Sequence, residues 1–486
     1  MNDLVEVRPG VYRDSVTLMR VSRALTERPG VSVAVVAMAT ELNLGLARDL
    51  GFAVPPATPG DLLVAVRAGS PAELEDAAAE LERQLAAREQ ASGTRRGDAP
   101  PRTTRSAART FEASLALVSV PGEHAFAEAL DAVESGLSVM IFSDNMPVEQ
   151  EILLKDRARA RGVLVMGPDC GTAVVGGAGL GFANVLRPGH VGVVAASGTG
   201  AQQVTSLLDL AGVGVSHVLG VGGRDLSAEV GGRSAVQALR ALDDDPATEL
   251  IVLVSKPPAP EVARAVRDLD LATPVVAALL GPGQDDLTTA AEKVLRALGR
   301  DVPEWPSWPA PARPPAHPPA QPAPHRAEST AGTSGAGRQA ASHGVAAAPR
   351  PALRGLYAGG TLCAEAALVA GAGEFTDFGD DAYTRGRAHP MIDPALRLEA
   401  LRGVASGVVL MDVVLGHGAD PDPSSWLAPA VRDAVARGVD VVVAVVGTDG
   451  DPQGLRAQAA RLNEAGAAVF TSNAAAARHA RLLAGG

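Results

Sequence analysis

The 486 residues carry a formal net charge of −12, with hydrophobic residues at 47%, charged residues at 20% and aromatics at only 3%. So acidic a chain, with so few rings to stack on bases, argues against a nucleic-acid partner or an anionic membrane surface. No apolar run is long enough to span a bilayer, and the opening MNDLVEVRPGVYRD lacks the apolar core of a signal peptide. Cys170 and Cys363 offer neither a disulfide framework nor metal-ligand spacing, so no metal centre and a reduced, cytoplasmic setting are expected. The length allows about three domains.

In chain order, SVTLMRVSRALTERPG from Ser15 reads as a helix with an apolar stripe at Val16, Met19 and Leu25, capped by Asp14 or Ser15. Val31 to Met38 is a buried strand, Thr40 to Leu50 a helix ending at Gly51, and Asp61 to Val66 a second strand. Ser70-Pro71 opens a helix through Ala87. This alternation predicts a parallel sheet covered by helices. Residues 88–109, polar, basic and holding Pro100-Pro101, read as a mobile insertion rather than a nucleic-acid-binding arm. The α/β rhythm resumes with strands at Leu115 to Val120, Val139 to Phe142 and Val163 to Met166, and helices at Ala125 to Ser135 and Val148 to Arg161. His124, in a strand-to-helix turn, reads as a cap or surface residue. Turns rich in conformationally special residues follow two of the strands, Ser143-Asp144-Asn145-Met146-Pro147 and Gly167-Pro168-Asp169-Cys170-Gly171-Thr172.

Arg187 to Asp225 organises the centre of the chain. Val191 to Ala196 is a strand buried on both faces, and Ser197-Gly198-Thr199-Gly200 turns into a helix from Gln202. Backbone amides at such a helix start, with the Ser197 and Thr199 hydroxyls, form a candidate anion site. A second loop, Gly220-Val221-Gly222-Gly223-Arg224-Asp225, follows the next strand. Two such loops after consecutive parallel strands predict a phosphate or carboxylate site at the carboxyl edge of one sheet, made by Ser197, Gly198, Thr199, Gly222, Gly223 and Arg224. Lys256, at the end of the strand Leu250 to Val254, is either an assisting cation and candidate catalytic group or an exposed lysine beside a rigid Pro257-Pro258 turn. Trp305 to Arg350, rich in Pro and Ala, is expected to be a disordered linker. Beyond it, 352–486 reads as a separate α/β domain with buried strands Val408 to Val414 and Val439 to Val446. In its loop TRGRAHPMIDP, Arg385, Arg387, His389 and Asp393 either grip an anion, with His389 as a candidate catalytic group, or tie the loop to the surface. Aspartates at the strand ends are candidate Mg²⁺ ligands, although helix capping is their commoner use.

These motifs resemble a known family. Phe142-Ser143-Asp144-Asn145-Met146-Pro147, Gly167-Pro168-Asp169-Cys170, Ser197-Gly198-Thr199 and Gly220-Val221-Gly222-Gly223 resemble the α subunit of succinyl-CoA synthetase. Asp377-Phe378-Gly379-Asp380, Val413-Val414-Leu415-Gly416 and Gly447-Thr448-Asp449 resemble the CoA-ligase domain of its β subunit. The fused order, with Gly359-Gly360-Thr361-Leu362-Cys363, HPMID at 389–393 and GTDGDPQ at 447–453, is similar to the FdrA family of acyl-CoA synthetase-like proteins. The resemblance implies an α/β fold: a Rossmann-like CoA-binding domain over 1–185, then two flavodoxin-like CoA-ligase domains with parallel sheets at 186–301 and 352–486, joined by a linker at 302–351. It implies CoA as cofactor, held by Asn145, Pro147, Gly167, Pro168 and Asp169. Asp380, Arg385, Asp412, Gly416, Gly447, Thr448 and Asp449 become site candidates in the last domain. It also implies an anionic acyl or carbamoyl phosphate substrate and an oligomer with partner subunits.

Three departures bear on activity. The loop after the strand Pro274 to Leu280 reads GPGQDD, without the family's phosphohistidine. Ser255-Lys256 replaces an acidic residue, and the β-like part begins directly at its ligase domain, without an ATP-grasp domain. A phosphohistidine relay is therefore expected to be lost. Three functions follow: an acyl-CoA synthetase-like subunit, a carbamoyltransferase subunit acting on oxamate or a similar acid in purine-nitrogen catabolism, or a scaffold or sensor that kept only the fold.

Overall fold

The strand Leu62–Ala68 sits in the middle of the first sheet, between Asn2–Arg8 and Val31–Met38, and runs antiparallel to both. This corrects the parallel sheet expected for the first 85 residues. The helix Ser15–Thr26 does carry the chain across so that its two flanking strands point the same way. It leaves a gap one strand wide, however, and the third strand fills that gap from the opposite direction. Alternate side chains of Leu62–Ala68 face two layers. Leu62, Val64 and Val66 meet Leu18, Val21, Leu25 and Leu81, while Leu63 and Ala65 meet Leu44, Ala47 and Phe52.

The computed structural model describes residues 2–11, 13, 15–91, 101, 103–312, 352–384 and 387–485. The proposed cap Asp14 and most of the Pro/Ala-rich linker lie outside the described residues, as does the centre of the 88–109 insertion. The flanks of that insertion are helical. Pro71–Ala91 runs into it, and Thr104–Thr110 leaves it behind a capping box in which the Thr103 hydroxyl accepts from Ser106 N and the Ser106 hydroxyl from Thr103 N.

Strands Leu115–Val118, Ser138–Ile141 and Val165–Met166 form a small parallel sheet. The chain then turns back as a hairpin, Thr172–Val175 with Ala178–Gly181, around Gly176-Gly177. That hairpin extends the next sheet, whose order is Val275–Leu279, Leu250–Ser255, Pro188–Ala196, Val215–Gly220, Thr172–Val175, Ala178–Gly181. The first 185 residues thus contribute to three sheets. The last sheet runs Ser307–Trp308, Ala468–Phe470, Asp440–Val446, Val408–Val414, Leu353–Tyr357, Glu374–Asp377, and only Ser307–Trp308 is antiparallel. Residues 305–309 were expected in the disordered linker. They are ordered because Trp305 donates to Glu292, Pro306 O accepts from Thr471, and the Trp308 and Pro309 carbonyls accept from Asn463. The last two sheets share one apolar core through their helices, in which Val204, Leu207 and Leu208 meet Leu362, Ala366, Ala476 and Ala480. Among the described residues, no helix is long and apolar enough to cross a membrane.

Candidate functional site

Strand ends from three sheets converge on one cleft. Loop 143–147 and turn 167–169 are stitched together where Asp169 N donates to Ser143 O at 2.9 Å and Cys170 N to Ile141 O at 3.0 Å. Gly222, at φ 93°, lies so close that a methyl group there would strike Pro168 O. A methyl group on Gly223 would lie 2.8 Å from the Asp169 carboxylate. The Gly222-Gly223 loop therefore closes over the Gly167-Pro168-Asp169 turn. Among the described residues, Asn145 and Asp169 are the non-glycine positions with positive φ, at 57° and 58°.

The Ser197 turn faces another partner. The Ser197 hydroxyl accepts from Gly200 N at 2.9 Å and donates to Thr361 Oγ1 at 2.6 Å. A methyl group on Gly359 would stand 2.8 Å from Thr199 Oγ1, and one on Gly200 would stand 3.1 Å from the Thr361 methyl. The helices Gly198–Leu210 and Gly360–Ala370 thus begin against each other. The amides of Gly198, Thr199, Gly360 and Thr361 donate to no group among the described residues. Two positive helix ends in contact make a local field that favours an anion.

Charged side chains from all three sheets surround this point. A methyl group on Gly360 would touch the Asp377 carboxylate and stand 3.0 Å from Lys256 Nζ. Asp377 accepts from Gly379 N at 2.9 Å, and burial pushes its carboxyl up to about 6. The Asp169 side chain reaches solvent, yet desolvation by the packed turn, with Asp144 and Asp381 adding and Lys256 and Arg224 opposing, brings its carboxyl up to about 7. His389 Nε2 and Asp377 Oδ1 lie 2.9 and 3.1 Å from the methyl position of Gly379, and the His389 ring sits 5.6 Å from the Phe182 ring. Burial pushes His389 down to about 4, so it is a neutral imidazole near pH 7. Met391 N donates to its Nδ1 at 3.2 Å, leaving the proton on Nε2. The arrangement can hold an anion on backbone amides beside an ammonium, with a neutral N–H donor and two raised carboxyls within reach.

Several expected site residues have other work. Ser197 has its hydroxyl engaged as a cap and in the contact with Thr361, so it is no free anion donor. Arg224 donates to Met146 O at 2.7 Å and pairs with the buried Glu151 at 3.0 Å. That glutamate belongs to a buried network in which Lys155 Nζ is 2.7 Å from both Glu151 and Asp225. Asp412 accepts from Ala358 N and Gly359 N, each at 2.8 Å, and pairs with Arg397, so it shapes the turn behind the cleft. Gly416 and Thr448 dock the strap 183–185 onto the last domain, and Gly447 packs behind them. Gly416 meets the Ala183 carbonyl, Gly447 adjoins Leu415 and Asp451, and the Thr448 hydroxyl donates to Val185 O at 2.7 Å. Asp449 forms a surface pair with Arg456. Asp380 and Asp393 accept from Ala382 N and Ala395 N, local turns of the capping kind. Pro147 precedes the helix Val148–Arg161 as its N-cap. Arg387 is exposed, and Arg385 lies outside the described residues. Among the described residues, no three His, Cys, Asp or Glu side chains cluster as a metal site. Sequence reasoning missed Asp377, Asp144, Asp381 and Gly360 as cleft groups, although an acidic turn and a Gly-Gly helix start were visible.

A family model described as CoA-ligase matches residues 356–483. Another, described as AllF, heavy metal-associated domain, matches residues 1–101. That stretch contains neither Cys nor His, so the thiolate and imidazole donors that bind a heavy metal tightly are missing and the residues do not fit one. The uncharacterized protein YahF of Escherichia coli K12 is 35% identical over 97% of this chain and 97% of its own. The succinate–CoA ligase [ADP-forming] subunit alpha 2 of Archaeoglobus fulgidus is 30% identical over 32% of this chain and 54% of its own. The mitochondrial alpha-2 subunit of Trichomonas vaginalis is 27% identical over 30% and 47%. The aligned stretch thus spans about half the length of these α subunits. Among solved structures, ATP citrate lyase from Methanothrix soehngenii aligns with 41% of this chain and 37% of its own at 18% identity and a TM-score of 0.32, too low to carry an argument.

Proposed function

Starting from the premise that this chain belongs to the family of Escherichia coli YahF, we propose that it is a subunit of an acyl-CoA synthetase-like enzyme of the FdrA type, handling an acyl phosphate or CoA thioester. The α-subunit likeness and the CoA-ligase match support the class. The observation that carries the site is the meeting of two helix starts beside Lys256. The phosphoryl group of an acyl phosphate would lie on the Gly198, Thr199, Gly360 and Thr361 amides, with the Lys256 ammonium offsetting its second charge. His389 Nε2–H would donate to an oxyanion developing at the acyl carbon. The α-subunit resemblance assigns CoA to the neighbouring turns of Asn145, Pro147, Gly167, Pro168 and Asp169, from where its thiol would attack the acyl carbon and release inorganic phosphate.

A carbamoyltransferase is the second reading, and no comparison names one. What favours it is the GPGQDD loop, which has no histidine to carry a phosphoryl group. Such a site suits a phosphorylated carbonyl compound made elsewhere. Calorimetry of the full chain with CoA, acetyl phosphate and carbamoyl phosphate separates the readings. Acetyl phosphate and CoA binding, with Lys256→Ala weakening acetyl phosphate about tenfold at unchanged melting temperature, is the expected result. Binding of carbamoyl phosphate alone would favour the second reading, and binding of none, with or without partner subunits, would leave a scaffold.

A further inference from the structure

We infer that the N-terminal sheet domain positions the His389 turn, with Arg23 as the positioning residue. This domain matches a heavy metal-associated model yet has neither Cys nor His. One side of its helix Ser15–Thr26 reaches the rest of the chain. Met19 packs against the shared apolar core, and Arg20 Nη2 donates to Ala419 O at 3.5 Å. Arg23 Nη1 donates both to the Ile392 carbonyl and to the Asp420 carboxylate.

Those two acceptors belong to the loops that fix His389. Asp420 N donates to Met391 O at 2.9 Å, and Trp426 Nε1 donates to the Asp420 carboxylate at 3.0 Å. Within the turn, Ile392 N and Asp393 N donate to His389 O at 2.7 and 3.0 Å, and Met391 N donates to His389 Nδ1. One guanidinium therefore ties the 389–393 turn to the loop that closes the strand Val408–Val414. Asp420 is 4% exposed, so the charge on Arg23 answers a carboxylate that would otherwise be buried without a cation. Without Arg23, the hydrogen bonding of the turn to that loop falls, among the described residues, to Asp420 N on Met391 O, beside the packing of Met391 and Ile392 in the shared core. The ring's direction toward Gly379 and Asp377 would then rest on the turn and on its contact with Phe182.

The test is hydrogen exchange by mass spectrometry on the full chain, comparing the native protein with Arg23→Ala, Arg23→Lys and Arg8→Ala. Arg8 pairs with Glu6 and Glu82 inside the N-terminal domain, away from these contacts. Arg23→Ala is expected to speed exchange at 391–393 and 419–420 about tenfold, with Lys restoring part of the protection and Arg8→Ala changing nothing there. Unchanged exchange at 391–393 in Arg23→Ala, with the strand 62–68 still protected, overturns the inference. If Arg23→Ala unfolds that strand, Asp420→Asn removes the same pair from the other side: faster exchange at 391–393 upholds the inference and unchanged exchange ends it. No ligand enters the measurement, so failure of the proposed substrate class would leave this result standing.

Discussion

Lys256, Asp377 and Asp169 follow strands of different sheets, and the Lys256 charge acts on both carboxyls. The Lys256 charge opposes the rise of both carboxyls, and desolvation by the surrounding turns raises both all the same. A carboxyl with a raised value is partly protonated near neutrality and becomes an anion as pH climbs through about 7 for Asp169 and about 6 for Asp377. An anion in the cleft would meet two further negative charges above those values. Affinity for acetyl phosphate is therefore expected to fall between pH 6 and 8, and Asp169→Asn should flatten the upper part of that fall, as read by calorimetry at several pH values. A parallel loss in Asp169→Asn would remove Asp169 from the cleft's electrostatics. Of these groups, Lys256 was legible as a rare lysine at a strand end. The partnership with Asp377 was not, because a position 121 residues later in the chain says nothing about distance in space.

At the scale of elements, glycine turns with buried neighbours define the cleft wall. Gly222 combines φ 93° with contact on the Pro168 carbonyl, so any side chain there is both strained and obstructed. Gly222→Ala is expected to destabilise the protein by more than about 2 kcal/mol in denaturant melts. Gly283→Ala, also at positive φ but in open space, should cost about 1 kcal/mol. The Gly-rich loops were visible in the sequence as turns, and their adjacency followed from consecutive parallel strands. Which loop meets which partner was not visible: the Ser197 turn lies on Gly359, and the Gly222 loop lies on Pro168. The Gly176-Gly177 hairpin had a readable signal, two glycines between short apolar runs, which the α/β rhythm overshadowed.

Across the whole molecule, the motif Gly447-Thr448-Asp449-Gly450-Asp451 works as a clasp between domains. Asp451 accepts from Val185 N at 2.7 Å, and from Asn184 Nδ2 and Thr448 N, each at 2.8 Å. Removing it strands buried donors, whereas Asp449 holds only an exposed arginine. Asp451→Ala is expected to cost about 3 kcal/mol and to split the calorimetric melt into separate transitions, while Asp449→Ala stays within about 0.5 kcal/mol with one transition. By itself the sequence determined the α/β class, the alternation of strands and helices, most strand positions and the likeness to CoA ligases, because local periodicity and turn chemistry are written residue by residue. The tertiary structure alone decided the antiparallel order of the first sheet, the ordering of Trp305 and Trp308, and the division of polar motifs between cleft and clasp. Those outcomes depend on which surfaces meet after the chain has folded back over hundreds of residues, and a buried carboxylate acts as a clasp or a ligand group according to what it meets there.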